Sequence, residues 1–281
     1  MSARPTNEAA PHMMQTPPDW VLRLRALSDQ TPLRERVPLT WGGIEIGDAE
    51  PAVLQQIERA FSYQRATVLR KEPHGWRIDG NLTESLARIA LVMRELKLAH
   101  VWRNEQLPVL DSRNSALGTI ERAAVRPLGL STRAVHLVGE TSDGQFWVQQ
   151  RALSKADDPG LWDTLMGGMV TAVDTVERAL ERETFEEAGL RIETLFGLSH
   201  GGLVQIHRPS EDLGGGYAAG GYIRERIDWY RATVPADCVP NNSDGEVERF
   251  AKVSRESMMA GVAAGKFTLE AGLVIAATLG Y

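Results

Sequence analysis

A chain of 281 residues with 43% hydrophobic and 24% charged residues has the composition of a globular protein with one large domain or two ordinary ones. Its formal net charge of −6 argues against nonspecific binding to nucleic acid or to an acidic membrane, which both select basic surfaces. Cys238 is the only cysteine, which excludes an internal disulfide and points to a reducing, cytoplasmic setting; no apolar run approaches the roughly 18–20 residues that span a bilayer.

Residues 1–15 lack the apolar stretch of a signal peptide and read as a loose tail. Residues 19–30, DWVLRLRALSDQ, have helical spacing, with Asp19 as the expected cap. A short strand, a turn and a helix from about Pro51 follow, with Leu54, Ile57 and Phe61 on one helix face. ATVLRKEPHGWRID reads as two short strands around a turn. NLTESLARIALVMRELKLAHVW reads as a helix with a partial capping signal at Thr83 and a stripe of Leu86, Ile89, Ala90, Met93 and Leu96. Residues 16–122 are therefore expected to form a small α+β domain, with a boundary near AAVRPLG (123–129) and a second domain over 123–281. In that second domain, RAVHLVGETSDGQFWVQQRA is a hairpin pattern turning at Ser142-Asp143-Gly144. An acid-rich helix over 175–188, two alternating strand patterns, RIETLFGLSHGGLVQIH and YIRERIDWYRATV, and an apolar closing helix in FTLEAGLVIAATLGY complete it.

The acid-rich helix carries the chemistry. With Asp174 as its expected cap, Val176, Ala179, Leu180, Glu183, Glu186 and Glu187 fall on one stripe, apolar in its first half and acidic in its second. Glu183 and Glu187 are a like-charge pair one turn apart, costing roughly 0.2–0.5 kcal/mol. Carboxylates at a helix C-terminus also oppose the macrodipole, by roughly 0.3–1 kcal/mol each. Acid clusters on helices are usually solvated faces. The other reading is that a hard divalent cation, Mg²⁺ or Mn²⁺, removes the repulsion.

The spacing selects the second reading. Gly168, five residues, Asp174, seven residues and then Arg182-Glu183-Thr184-Phe185-Glu186-Glu187-Ala188-Gly189-Leu190 resembles the Nudix box, G-x5-E-x7-R-E-U-x-E-E-x-G-U, where U is bulky and apolar. Asp174 stands where the family has Glu, and Thr184 where it prefers an aliphatic. The flanking FWVQQRALSKADDPGLWDTLMGG and NNSDGEVERF, with ERAAVRPLGLSTRAVHLVG and HVWRNEQLPV further upstream, resemble the Nudix branch found beside thiamine pyrophosphokinase in some fungi and in free-standing proteins with an additional N-terminal domain. The resemblance implies an α/β Nudix α/β/α sandwich with a mixed sheet. It also implies metal-dependent hydrolysis of a small-molecule diphosphate linked to an organic group, with thiamine diphosphate or its oxidised analogues cleaved to monophosphates. A nucleoside diphosphate derivative such as ADP-ribose or a dinucleotide is the alternative substrate, and a non-hydrolytic ligand sensor the alternative class.

By the same resemblance, Glu183, Glu186 and Glu187 hold Mg²⁺ or Mn²⁺, and Glu183 doubles as base. Arg182 orients a glutamate by a charge-assisted hydrogen bond. Glu246, in SDGEVERF, is a candidate for a further ligand or base from a distant loop, or else a turn acid beside Asp244-Gly245, with Glu248 in reserve. Arg151, at the end of a strand before the box, is placed either to meet phosphates or as a solvated strand-end arginine, Trp162 to stack on an aromatic group or to pack, and Asp163 lies beside it. Gly167 and Gly168 allow close backbone approach, and Gly189 suits a left-handed helix end. Phe185 faces away from the carboxylates and is expected to be covered by the N-terminal domain or by a second copy in a homodimer.

Weaker signals carry nothing. GGGYAAGG (214–221) does not lead into a helix, and GVAAGKF lacks a P-loop spacer residue and the Ser or Thr that would bind Mg²⁺. The six histidines show no metal spacing, Ser199-His200 has no nucleophile-elbow context, and Cys238 has no reactive setting.

Overall fold

The computed structural model describes residues 16–63, 68–99, 101–210, 220–242 and 245–281. The expected tail over 1–15 and most of the glycine-rich stretch 214–221 lie outside the described residues. Helix α1 (Asp19–Ser28) begins after Pro18, so Asp19 occupies the first turn instead of capping it. Strands β1 (Val37–Trp41) and β2 (Ile44–Ala49) form a hairpin, a second strand where the sequence suggested only a turn. Helix α2 (Pro51–Tyr63), strands β3 (Leu69–Glu72) and β4 (Gly75–Ile78), and helix α3 (Leu82–Glu95) follow. The α3 cap is Asn81, which accepts the Glu84 N–H; Thr83 instead accepts the N–H of Thr119. The sheet order is β2-β1-β4-β3, with β1 parallel to β4. Leu54, Ile57, Phe61, Leu86, Ile89, Ala90 and Met93 are buried against it, while Leu96 lies at the edge with 39% exposure.

A two-stranded ribbon, β5 (Gln106–Leu110) and β6 (Ala116–Glu121), leads through the short turn Arg122–Ala124 into the second unit. Its strands are β7 (Ser131–Glu140), β8 (Phe146–Arg151), β9 (Trp162–Asp163) and β10 (Met166–Met169), then α4 (Val176–Ala188), β11 (Phe196–Pro209), β12 (Tyr222–Thr233) and β13 (Val247–Val253). Helices α5 (Arg255–Ala263) and α6 (Leu269–Thr278) close it. The main path runs β11-β12-β7-β8-β13, with β10 on β7 and β9 on β8. Only β12 and β7 run parallel within it, so the sheet is mixed.

The two faces of this sheet bury separate cores, as alternation along a strand requires. Val135 and Leu137 of β7 face α4, with Val176, Ala179 and Leu180. Ala134 and Val138 face the opposite layer, where Val262, Val274 and Ile275 of α5 and α6 pack. The result is an α/β/α sandwich. Trp20 and Val21 of α1 belong to this second core, and Tyr281 meets Trp20 edge-on at 5.9 Å. Helix α1, grouped by sequence with the N-terminal unit, therefore packs with the C-terminal one.

The two units are tied by buried charge. The Arg36 side chain is 4% exposed; it donates to Asp48 Oδ1 and O, both at 2.6 Å, to Gly220 O at 2.8 Å and to Pro127 O at 3.0 Å. Arg224 of β12 reaches the other Asp48 carboxylate oxygen. No helix among the described residues is long and apolar enough to cross a membrane.

Candidate active site

Strand β10 and helix α4 bring the box glycines against the box acids. A Cβ on Gly168 would lie 2.2 Å from Cδ of Glu183, and one on Gly167 would lie 2.7 Å from Cε1 of His136. Neither position has room for a side chain, which is why this strand is glycine at both. The Gly167 N–H is donated to Glu187 Oε2 at 3.1 Å, and Gln149 Nε2 of β8 donates to the same oxygen at 2.8 Å.

Thr175 caps α4 by accepting the Arg178 N–H, so Asp174 is not the cap. Asp174 instead holds Arg182: its Oδ2 takes both Nε (3.0 Å) and Nη2 (2.8 Å) and accepts the Thr171 hydroxyl at 2.9 Å. Arg182 Nη1 then donates to Glu183 Oε1 and Glu186 Oε2, each at 2.9 Å, and Nη2 reaches Met169 O at 3.3 Å. One guanidinium thus fixes three carboxylates and ties α4 to β10. Gly189 ends the helix at φ 63°, in the left-handed region. Thr184, fully buried, satisfies its hydroxyl on Leu180 O at 2.6 Å.

The acids are not equivalent. Glu187 is 4% exposed; burial, opposed by its Gln149 and Gly167 hydrogen bonds and reinforced by the charge of Glu183, pushes its carboxyl up to about 8. Burial also lifts Glu183 to about 7, against the pull of Arg182. Glu186 is half-exposed, rests on Arg182 and does not line the cavity that Glu183 and Glu187 share.

That cavity, about 170 Å³, also receives Gly167, Gly168, Arg151, Asp163 and Glu246. Arg151 is held by Asp157 O at 3.0 and 3.2 Å and lies 3.5 Å from Asp163 Oδ2. Asp163, 3% exposed, accepts the Thr164 N–H at 2.8 Å. Glu246 is paired with Lys155, whose charge helps hold its carboxyl below the ordinary range against the opposing effect of burial. Trp162 is not among the residues that line the cavity; Arg249 stacks on it at 5.3 Å and it packs on the α5–α6 core, the packing alternative of the two expected from sequence. Phe185, 49% exposed, is overlain by Arg191 at 5.4 Å in a groove formed by α4 and the loop after it; the N-terminal unit contributes nothing to that groove among the described residues.

Several residues at or behind the cavity were not singled out from sequence. Gln149, buried behind Glu187, is placed by alternation with Arg151 on β8. His136 sits beneath Gly167, and burial depresses its pKa, so the ring is neutral. Thr164 spends its hydroxyl hydrogen on Met166 O at 2.8 Å, so the contact from His136 Nδ1 at 3.0 Å is a donation by the ring. Glu225 and Glu270 form an acidic wall on which burial lifts Glu270 to about 7.

The donor set suits a hard divalent cation. Two buried carboxylates at one cavity disfavour each other's charge, and a hard cation between them would remove that cost. Among the described residues no three acid, His or Cys side chains converge into a complete cage, so oxygen ligands from substrate and solvent would finish the shell, the usual arrangement for Mg²⁺.

A family profile described as "NUDIX domain" matches residues 130–270, half of the chain. "Nudix hydrolase 24, chloroplastic" from Arabidopsis thaliana is 28% identical over 247 residues, covering 79% of this chain and 65% of that protein. "Nudix hydrolase 20, chloroplastic" from the same plant is 27% identical over 244 residues, covering 74% and 61%. The chain thus spans less than two thirds of the length of these relatives. Among solved structures, the crystal structure of DR0079 from Deinococcus radiodurans is 23% identical, with a TM-score of 0.43 over 58% of this chain and 92% of that one.

Proposed function

Because the chain belongs to the NUDIX domain family, we propose that it is a divalent-metal-dependent pyrophosphohydrolase acting on a diphosphate linked to an organic group. The observation that carries this reading is the burial of Glu183 and Glu187 against a strand that must be glycine, both raised toward neutrality, at one end of a cavity that also presents Arg151 and Lys155. Glu183 and Glu187 would hold Mg²⁺ or Mn²⁺, with Glu186 completing the set if it leaves Arg182. The ion supplies charge neutralisation for the diphosphate and lowers the pKa of water.

The protein's own groups divide the remaining work. Arg182 fixes the direction of Glu183, and Gln149 with the Gly167 N–H fixes Glu187. Arg151 meets a phosphate. Glu183, whose carboxylate Arg182 fixes at the cavity, is placed to take the proton from the attacking water; Glu246 is the alternative base, once Lys155 turns to the substrate. Cleavage of the P–O–P bridge by water yields an organic monophosphate and inorganic phosphate from a diphosphate esterified at one end, and two organic monophosphates from one esterified at both.

For the organic group we propose thiamine diphosphate or an oxidised analogue, on the resemblance of the box-flanking segments to the thiamine pyrophosphokinase-associated branch. The acidic wall of Glu225 and Glu270 supports it, being suited to a cationic or hydrogen-bond-donating ring. A phosphate-release screen with Mg²⁺ and Mn²⁺ over thiamine diphosphate, its oxidised forms, ADP-ribose and dinucleotides tests the reading. Turnover of thiamine diphosphate or an oxidised form is expected. Turnover of ADP-ribose or dinucleotides alone refutes the substrate assignment, and no turnover of any diphosphate refutes the enzyme. In that last case, ligand binding unchanged by Glu187→Gln identifies a sensor.

A further inference from the structure

The cavity has a second charged wall that the box does not supply. Arg103 follows α3, Arg122 opens the turn after β6, and Arg126 lies between that turn and β7; all three line the cavity that holds Glu183 and Glu187. The Arg122 and Arg126 side chains and the Arg103 backbone are anchored. The Arg122 N–H is donated to Glu105 O at 2.9 Å, and its Nη1 to Glu105 Oε2 at 2.8 Å. The Arg103 N–H is donated at 2.8 Å to Glu121, which is 2% exposed. Arg126 Nη1 is 3.4 Å from Asp157 Oδ1. Gln106 O accepts the Ala172 N–H at 2.8 Å, so the β5–β6 ribbon is stitched to the segment between β10 and α4.

The three charges act on one region. All three guanidiniums pull the Asp157 carboxyl below its ordinary range against the opposing effect of burial, and Arg122 and Arg151 both act on Glu246. Glu105 and Asp157 offset part of this charge, and the three guanidiniums gathered at one cavity wall still make it a favourable place for a further anion in a chain of net charge −6. Guanidinium forks pair with phosphate oxygens two at a time. A terminal phosphate offers three free oxygens and up to two charges. A phosphate inside a diphosphate esterified at both ends offers two oxygens and one charge, too few for three forks.

We propose that Arg103, Arg122 and Arg126 form the seat for the unesterified terminal phosphate of the substrate, so that the N-terminal unit and its connecting ribbon select one-ended organic diphosphates over those esterified at both ends. The proposal rests on the pyrophosphohydrolase reading for its kinetic test, but its binding test stands without turnover. Three variants of the full chain suffice: Arg103→Ala, Arg122→Ala and Arg122→Lys, the last keeping the charge opposite Glu105 while losing the fork. Calorimetry with inorganic pyrophosphate and Mg²⁺ is expected to show binding weakened about ten- to hundred-fold in each alanine variant, and by less in Arg122→Lys. For thiamine diphosphate, KM rises by the same factor while kcat stays within about threefold of the parent; for ADP-ribose both parameters stay within about threefold. Unchanged pyrophosphate binding in folded alanine variants, judged by their thermal unfolding, overturns the seat. Equal losses on one-ended and two-ended substrates overturn its assignment to a terminal phosphate. If the parent turns over nothing, the enzyme reading falls and the pyrophosphate measurement alone decides the seat.

Discussion

Replacing Glu187 by Gln should stabilise the metal-free protein at alkaline pH while removing its response to metal. The side chain is 4% exposed and its carboxyl is raised from 4.5 to about 8. Between those values the folded state holds a proton that the unfolded chain has released. Stability contributed by this group is therefore complete below about 4.5 and is lost as pH rises through about 8. Each pH unit of the interval is worth about 1.4 kcal/mol, so the bound is about 5 kcal/mol; relaxation and proton sharing with Glu183 reduce it to about 1–3 kcal/mol. Glutamine keeps the volume and an acceptor for Gln149 and the Gly167 N–H. Thermal unfolding in chelator at pH 8.5 should place the variant roughly 3–10 °C above the parent, using about 2–4 °C per kcal/mol for a chain of this size; at pH 5 the two should coincide. Added Mg²⁺ should stabilise the parent by about 2.7 kcal/mol at a hundredfold excess over Kd and the variant far less. Equal midpoints for parent and variant at pH 8.5, or a variant that keeps the full Mg²⁺ shift, would refute the reasoning.

Three further substitutions probe the same region. Gly168→Ala drives a methyl into the Glu183 carboxyl; kcat should fall at least about tenfold and stability by about 1–3 kcal/mol in urea titration, and an unchanged kcat contradicts the close approach. Arg182→Lys cannot span Asp174, Glu183 and Glu186 together; Mg²⁺ titration of activity should show a loss of about 10–100-fold in metal affinity or rate. Thr184→Val removes a hydroxyl that only back-bonds to Leu180 O, so denaturant midpoints should change by less than about 1 kcal/mol and activity should be retained.

The box was legible because its chemistry is periodic: positions 183 and 187 lie one turn apart and reach one cavity. Glu186 shows where periodicity stops. It belongs to the same helical stripe by angle, yet Arg182, one turn earlier, draws it to the solvent side. Asp174 and Thr175 are both good capping residues, so local preference could not separate them; the contact with Arg182, eight residues away, releases Asp174 from the cap. Strand β2 contains Gly47 and two acids and looks unlike a strand, but a Cβ at Gly47 would sit 2.5 Å from Leu128 O, so the glycine is set by a neighbour distant in sequence. Lys155, Arg103 and Arg122 gave no signal for the same reason: Lys155 meets Glu246 across 91 residues of chain, and the two arginines reach the cavity only after the two units are assembled.

The placement of α1 changes what kind of object the N-terminal unit is. Since Trp20 and Val21 pack with α6, the elements from β1 to β6 are an insertion between two pieces of the sandwich, joined to it by two covalent crossings. A domain hung on one linker swings; one entered and left through the host is restrained like a door held at both edges. Arg103 and Arg122 therefore face the cavity from a fixed wall, and removal of that wall requires splicing α1 directly to β7, because cutting the chain near residue 122 would strip the sandwich of one of its own helices.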